Sequence, residues 1–230
     1  MKRNTNETEL RGVTATEQVE FKVTRFLGRN KVALMVIGLA IVLVLVVMLI
    51  FNAVYSKNLE KAFDKIDQTT TRYSELVAMD PQSDDYKNGM QELKDMLGSL
   101  AKGKSYPSLK AQYMLATIAF EEKDYQSAEA GYMAIYNAKK DTYLGPLSLF
   151  NAAVVAEDSG NEDQALEYYT RVWDEFGTDA PEAPKALFNQ ARLQGKQGQN
   201  ELAKATYQQL IDQFPSSEYA RLAQTAILAY

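Results

Sequence analysis

Apolar residues form one continuous run near the N-terminal end of the chain, and amphipathic helical segments fill the rest. The run, residues 32–54, contains no charged residue, and its only polar side chain is Asn52. A helix of this length can cross a hydrocarbon core of roughly 30 Å, and the apolar part of a cleaved signal peptide is shorter, about 7–15 residues. The pattern therefore predicts a single transmembrane helix over residues 32–54.

The segments on either side of the run also have helical character. Residues 19–27 (VEFKVTRFL) mix basic and apolar side chains. This composition fits either a helix lying on the membrane surface or an extension of the membrane helix. Residues 57–79 follow with no intervening Gly or Pro, so the membrane helix can continue into them. A second helix over 84–101 follows the break at Asp80-Pro81.

The remaining helical segments repeat along the chain. Ala128, Ala165 and Ala203 recur at steps of 37 and 38 residues, and Tyr132, Tyr169 and Tyr207 recur at the same steps. The pattern predicts first helices (A) over 108–122, 146–158 and 184–196, and second helices (B) over 124–138, 162–176 and 200–214. Gly160 and Gly198 suit left-handed turns between A and B, where Lys123 stands in the first repeat. No strand alternation appears, so we expect an all-α domain with a capping helix at 216–230.

Charge is distributed unevenly along the chain. Residues 1–31 carry seven Lys and Arg against four Asp and Glu, while the whole chain has a net charge of -5. The short basic tail over 1–31 is expected to stay in the cytoplasm, which puts the C-terminal domain on the other side of the membrane. In a bacterium, that side of the inner membrane is the periplasm. The acidic domain argues against nucleic-acid binding, which depends on neutralising phosphates.

Composition also limits the available chemistry. The chain has no Cys and no His, which excludes thiol nucleophiles, Ser-His-Asp triads and the commonest metal ligands. Acidic pairs at Glu121/Glu122 and Glu157/Asp158 could be read as an acid/base or calcium pair, but no loop has calcium-ligand spacing. We therefore expect a protein that is not an enzyme and that uses no cofactor or metal.

The repeated segments resemble the tetratricopeptide repeat family. The match is carried by PKALFNQARLQGKQGQNELAKATYQQLIDQFPSSEYA, by SGNEDQALEYYTRV and by EKDYQSAEAGYMAIY. The resemblance implies an α-solenoid with three repeats over 105–215, preceded by a degenerate first helical pair or linker over 55–104. Because the family's repeat length is 34, the extra residues here should lengthen the loops between repeats.

In that family, proteins or extended peptides bind along a concave groove lined by the A helices. The groove positions carried over by the resemblance are Lys110, Tyr113, Thr117, Phe120, Leu147, Phe150, Val154, Lys185, Phe188, Asn189 and Arg192. Tyr113, Phe150 and Phe188 share one position and would form an aromatic ladder for an apolar peptide. Lys185 and Arg192 could bind an acidic group. The alternative is that the three rings pack between helices.

The overall plan, with FLGRNKVAL entering the span and FPSSEYARLAQTAI ending the repeats, resembles bacterial inner-membrane tetratricopeptide proteins of the YfgM-like, ancillary Sec translocon subunit family. That resemblance implies a periplasmic, chaperone-like accessory factor that acts near the translocon on secreted or unfolded envelope proteins, with translocon subunits and periplasmic chaperones as partners. The alternative is a structural scaffold that assembles an envelope or motility complex.

Overall fold

The computed structural model of the chain describes residues 15–229. Residues 1–14 of the predicted N-terminal tail, and Tyr230 at the end of the predicted capping helix, lie outside the described residues. The chain divides into two compact units, the first ending at Asn58 and the second beginning at Leu59. The described part of the first unit is a single helix, and the second unit contains the repeats.

Helix α1 spans Ala15–Leu76 without interruption. Residues 19–27 belong to this helix and are continuous with the apolar run, which favours an extension of that helix over a separate surface helix. The helix also continues past residue 57, as the absence of Gly and Pro predicts. In the apolar run, the side chains of Leu39 and Phe51 are 70% and 71% exposed. Within the described part of the chain, α1 is the one helix long and apolar enough to cross a membrane, by length and composition.

Eight further α-helices follow among the described residues. They are α2 (Asp84–Leu100), α3 (Tyr106–Glu121), α4 (Tyr125–Ala138), α5 (Leu144–Asp158), α6 (Glu162–Phe176), α7 (Ala183–Lys196), α8 (Asn200–Gln213) and α9 (Glu218–Ala226). The all-α prediction is confirmed for residues 15–229, which contain no strand. The last helix is shorter than predicted, because a 3-10 turn over Ile227–Ala229 follows α9 and Leu228 is 84% exposed.

Each turn between an A and a B helix has one residue in the left-handed region. The φ angles are 64° at Lys123, 87° at Gly160 and 76° at Gly198, which confirms the turn positions read from the sequence. Side chains cap four helices at their N-termini: Ser83, Asp124, Asn161 and Ser217 each accept a hydrogen bond from a backbone N–H of the first turn. The loops between repeats, at 139–143 and 177–182, are longer than the turns within repeats.

Small residues stand where the helices of a repeat cross. The alanines Ala116, Ala128, Ala153, Ala165, Ala191 and Ala203 are at most 3% exposed. A Cβ added at Gly131 would lie 2.9 Å from the Cβ of Ala116, so α3 and α4 approach too closely there for a larger residue. The repeated tyrosines Tyr132, Tyr169 and Tyr207 are also buried. The repeat marks in the sequence are therefore positions of the core.

The second unit begins with a helical pair that precedes the three repeats. Ile66 of α1 is buried together with Leu93 and Leu97 of α2. The same cluster includes Ala111 and Ile118 of α3. This pair therefore covers the first face of α3, as α9 covers the last apolar face through Ala223 beside Tyr207 and Leu210.

Candidate protein-interaction face

The eleven predicted groove residues lie on α3, α5 and α7, and we call the surface they define the helix-A face. They are Lys110, Tyr113, Thr117, Phe120, Leu147, Phe150, Val154, Lys185, Phe188, Asn189 and Arg192. Phe150 is buried, Lys185 is exposed, and the other nine are half-buried. The face is thus partly accessible. Which of its groups can bind a partner depends on the contacts that each side chain already makes within the chain.

Phe150 does not form an exposed step of an aromatic ladder. Its side chain is 3% exposed and packs on Tyr169 of α6, with 5.5 Å between the ring centroids. The expectation of an exposed ladder was wrong at this position, and packing between helices describes the ring. The physical reason is that α5 has α4 and α6 on either side, so an aromatic side chain at this position is covered by its neighbours.

Tyr113 and Phe188 are half-buried and already have aromatic partners. Tyr113 packs edge-on against Tyr132 at 5.3 Å, and Asn151 Nδ2 donates a hydrogen bond of 2.6 Å to its hydroxyl. Burial raises the pKa of Tyr113, and the bond from Asn151 acts in the opposite direction. The ring of Phe188 lies 5.6 Å and 5.9 Å from those of Tyr207 and Tyr219. The two rings are therefore only partly accessible to a partner.

Four other predicted groove residues also contact side chains elsewhere in the same chain. The hydroxyl oxygen of Thr117 lies 3.0 Å from that of Tyr132. Phe120, Leu147 and Val154 pack against clusters of buried residues. These side chains pack the A helices against their neighbours. New contacts with a partner therefore depend mainly on the polar residues of the face.

The three cations of the face differ in availability. Arg192 Nη2 donates to both carboxylate oxygens of Glu157 at 2.6 and 2.7 Å, so its guanidinium already has an acidic partner within the chain. Lys110 lies 4.0 Å from Asp67. Lys185 makes no ion pair with a described residue, and its ammonium stands 4.8 Å from the ring centroid of Phe150. Lys185 is therefore the cation most accessible to a partner.

Two polar residues beside the face were missed by the groove prediction. Asn151 contacts Tyr113, and it precedes Asn189 by 38 residues, so the repeat register could have identified it. Glu182 precedes α7, and its Oε2 atom is shielded from solvent with no hydrogen-bond partner among the described residues. Burial raises the pKa of Glu182, while its backbone hydrogen bond and Lys185 act in the opposite direction. No repeated sequence feature marks Glu182.

These residues create a small polar site beside a buried ring. The negative charge of Glu182 also acts to raise the pKa of Tyr113. Lys185 can donate hydrogen bonds and Glu182 can accept them, which suits the backbone or a charged side chain of another protein. Within the described residues, no group of three or more Asp and Glu is placed to hold a metal ion.

Comparison with known proteins agrees with this architecture. A model of the tetratricopeptide repeat-like domain matches residues 29–176, and a model of the tetratricopeptide repeat matches residues 185–217. A TPR repeat-containing protein of Treponema pallidum is 34% identical over 120 residues, which are 52% of this chain. The chain spans about half of that relative, 49% of its length.

A solved structure supports the fold. A crystal structure of nearly identical TPR-like repeats of a kinesin light chain from Podosopora anserina superposes with a TM-score of 0.51 at 13% sequence identity. The similarity covers 69% of this chain and 82% of that one. Because the first family model covers more than half of the sequence, the chain belongs to the tetratricopeptide repeat-like domain family, whose repeats form protein–protein interaction modules.

Proposed function

We propose that this chain is a membrane-anchored module whose helix-A face binds a segment of another protein through polar contacts. The observation that carries the proposal is the shielded Glu182 Oε2 atom, without a hydrogen-bond partner, one helical turn from the exposed Lys185. A shielded acceptor left unpaired costs about 1–3 kcal/mol, and a donor from a partner would recover that cost. The ammonium of Lys185 supplies a complementary donor for a carbonyl or carboxylate on the same partner.

The proposed location is the bacterial inner membrane, with residues 1–31 in the cytoplasm and the repeats in the periplasm. The length and apolar character of α1 support the anchor, and the positive tail supports the orientation. In this setting the module acts as an accessory factor beside the Sec translocon on secreted or envelope proteins. Translocon subunits and periplasmic chaperones are its expected partners.

A second candidate function is a scaffold with one fixed partner in an envelope complex. The burial of Phe150 and the pairing of Arg192 with Glu157 favour it over a promiscuous chaperone, because a holder of unfolded clients needs accessible apolar surface. Both functions use the same polar site. They differ in whether many different proteins bind there or one fixed partner.

Photocrosslinking in native membranes tests the face directly. A benzophenone amino acid is placed at Lys185 or Asn189, and at the exposed Asp174 of α6 as a control. We expect crosslinks to proteins from the first two positions and few from the third. Many secreted proteins among the products would support the accessory function, and one stoichiometric partner would support the scaffold. Equal crosslinking from all three positions would refute the proposed face.

Substitution of the carboxylate provides the matched control for the polar site. Glu182→Ala should lower crosslinking from Lys185, whereas Glu201→Ala, at the exposed start of α8, should leave it unchanged. Unaltered helicity of both variants by circular dichroism would show that the repeats remain folded. If crosslinking persists with Glu182→Ala, the partner does not depend on this acceptor.

The absence of native cysteine makes the proposed topology easy to test. Thr5→Cys and Thr178→Cys place single thiols in the tail and in the loop before α7. A membrane-impermeant maleimide applied to spheroplasts should label the cysteine at position 178 and not the one at position 5. The opposite result would reverse the proposed orientation.

A further inference from the structure

Three aromatic side chains of the second unit form an exposed row that lies outside the helix-A face. Phe63, Tyr106 and Tyr143 are 39%, 42% and 55% exposed. The rings of Phe63 and Tyr106 are stacked at 5.8 Å, and those of Tyr106 and Tyr143 are 6.3 Å apart. The two tyrosine hydroxyl oxygens are 2.8 Å apart. We call these three side chains the aromatic row.

The loops that lead into the two tyrosines are rich in lysine. The loop at 101–105 contains Lys102 and Lys104, and the loop at 139–143 contains Lys139 and Lys140 with one acidic residue, Asp141. Lys102 and Lys139 are 37 residues apart, as are Tyr106 and Tyr143, so the arrangement follows the repeat. The corresponding third loop, at 177–182, has two acidic residues and neither lysine nor aromatic residue.

Three of these lysines are available for an external anion. Lys102, Lys104 and Lys139 make no ion pair with a described residue. Lys140 differs, because its ammonium lies 3.0 Å from a carboxylate oxygen of Glu175 and 4.4 Å from the ring centroid of Tyr136. The positive charge offered at these two loops stands out in a chain whose net charge is -5.

The aromatic row also lies near the point where the chain enters the second unit. Leu59 is the first residue of that unit, and Phe63 follows it by four positions. The last residue of the apolar run, Val54, precedes Phe63 by nine positions. A chain anchored through that run therefore keeps Phe63 close to the lipid in sequence, and folding places Tyr106 against Phe63 and Tyr143 against Tyr106.

We propose that the aromatic row, together with Lys102, Lys104 and Lys139, docks on the surface of a bilayer that contains anionic phospholipids. Tyrosine rings are enriched at headgroup depth because one edge is apolar and the hydroxyl can hydrogen-bond there. Lysine ammonium groups near the surface are attracted to lipid phosphates within about a Debye length. The inference rests on the proposed membrane anchor and adds a second, reversible contact that would orient the repeats.

Depth-dependent fluorescence quenching of the full chain in reconstituted vesicles tests the docking. A fluorophore is attached to Asp141→Cys, and as a matched control to Asp179→Cys, the exposed aspartate 38 positions later in the third loop. The vesicles contain phosphatidylethanolamine and phosphatidylglycerol with a headgroup-labelled nitroxide lipid. We expect quenching at position 141 to exceed that at position 179 by about threefold. The excess should disappear in phosphatidylcholine vesicles and in the triple variant Lys102→Gln, Lys104→Gln, Lys139→Gln.

A third label separates failure of this inference from failure of the anchor. A fluorophore at Val44→Cys, in the middle of the apolar run, should be quenched by an acyl-chain nitroxide. If Val44→Cys is quenched but positions 141 and 179 respond equally, the docking surface is refuted and the anchor stands. Lack of quenching at Val44→Cys would refute the anchor itself. Quenching at 141 that survives the triple lysine variant would overturn the electrostatic part of the proposal.

Discussion

Two neighbouring junctions, one between α2 and α4 and one between the B helices α4 and α6, differ in how many side-chain bonds join their helices. At the α4–α6 junction, the Tyr136 hydroxyl donates to Glu175, Arg171 Nη2 donates to that hydroxyl at 2.9 Å, and Lys140 lies 3.0 Å from Glu175. At the α2–α4 junction, no hydrogen bond or ion pair joins the two helices among the described residues, although Lys94 of α2 pairs at 2.8 Å with Glu122 in the turn before α4. A cleft opens there instead, lined by Ala116, Ala119, Gly131 and Ala134.

The difference follows from a few side chains at equivalent repeat positions. Tyr168, Arg171 and Glu175 on α6 stand 37 residues after Gly131, Ala134 and Ala138 on α4. The large polar residues reach back from α6 to α4, as when Tyr168 donates to Glu129 at 2.8 Å. The small residues on α4 cannot reach α2. Repeats of one fold can therefore be rigidly linked at one junction and loosely linked at the next.

The largest expected effect comes from the centre of the α4–α6 junction. Tyr136→Ala removes a side chain that is 1% exposed, and we expect the free energy of unfolding to fall by about 3–5 kcal/mol. Urea unfolding of the full chain in detergent micelles, followed through Trp173 fluorescence, measures the change. Tyr143→Ala is the matched control, because its side chain is 55% exposed and the loss should stay below about 1 kcal/mol. Equal losses would contradict the assigned role of Tyr136.

Substitution of a glycine at the α2–α4 junction should change stability less, and substitution of a second glycine, in α2, should change it in the opposite direction. Gly131→Ala should destabilise the chain by about 1–3 kcal/mol, because the new Cβ would lie 2.9 Å from that of Ala116. Gly98→Ala in α2 should stabilise it by about 0.5–1 kcal/mol, because nothing lies within 4 Å of its added Cβ. Thermal unfolding of both variants compares the two signs. Stabilisation by Gly131→Ala would show that α3 and α4 can move apart freely.

The carboxylate of the α4–α6 junction should show a pH-dependent effect of intermediate size. Burial acts to raise the pKa of Glu175, but hydrogen bonds from Tyr136, Lys140 and Arg171 outweigh it and lower the pKa. Glu175→Gln should therefore cost about 1 kcal/mol near neutral pH, allowing for the side chain's partial exposure.

The sign of the pH dependence follows from the lowered pKa. The stability contributed by Glu175 is present above the unfolded glutamate pKa of about 4.3 and is lost as the pH falls through the lower folded value. Urea titrations of both proteins from neutral pH downward should show their difference shrinking below about pH 4. Glu167→Gln is the control, because Glu167 is 58% exposed and should change stability by less than about 0.5 kcal/mol at any pH.

The fold was predictable because its signals are local and recur. The bounds of α6, Glu162–Phe176, were predicted to the residue, and the left-handed turns at Gly160 and Gly198 were correctly placed. The end of α9 was not, since its last residues have a helical pattern but too few neighbours to pack against. The sequence pattern of one helix does not show which residues of other helices will pack against its last turn, and that packing determines where the helix ends.

The candidate site was less predictable because burial and pairing depend on neighbouring repeats. The register placed Phe150 and Arg192 on the A helices, but it could not show that Tyr169 covers the first and Glu157 pairs with the second. Glu182 has no counterpart in the repeat pattern, so only the packed structure identifies its unpartnered oxygen. The aromatic row was also invisible in the sequence, because Phe63 lies before the repeats and meets Tyr106 through folding.

The smallest expected effect concerns the turn that enters α4 at the loosely linked end. Lys123 adopts a φ of 64°, where Gly160 and Gly198 stand in the other two repeats. A residue with a Cβ is strained in this region, so Lys123→Gly should stabilise the chain by roughly 0.5–1 kcal/mol despite the greater freedom of glycine in the unfolded state. Gly160→Lys, the reverse exchange at the equivalent turn, should destabilise by a similar amount. Hydrogen exchange of the first turns of α4 and α6 tests this explanation. If Lys123→Gly left exchange in α4 unchanged while Gly160→Lys altered exchange in α6, strain in the turn would not explain the looser α2–α4 junction. The small side chains of α4 would then be its explanation.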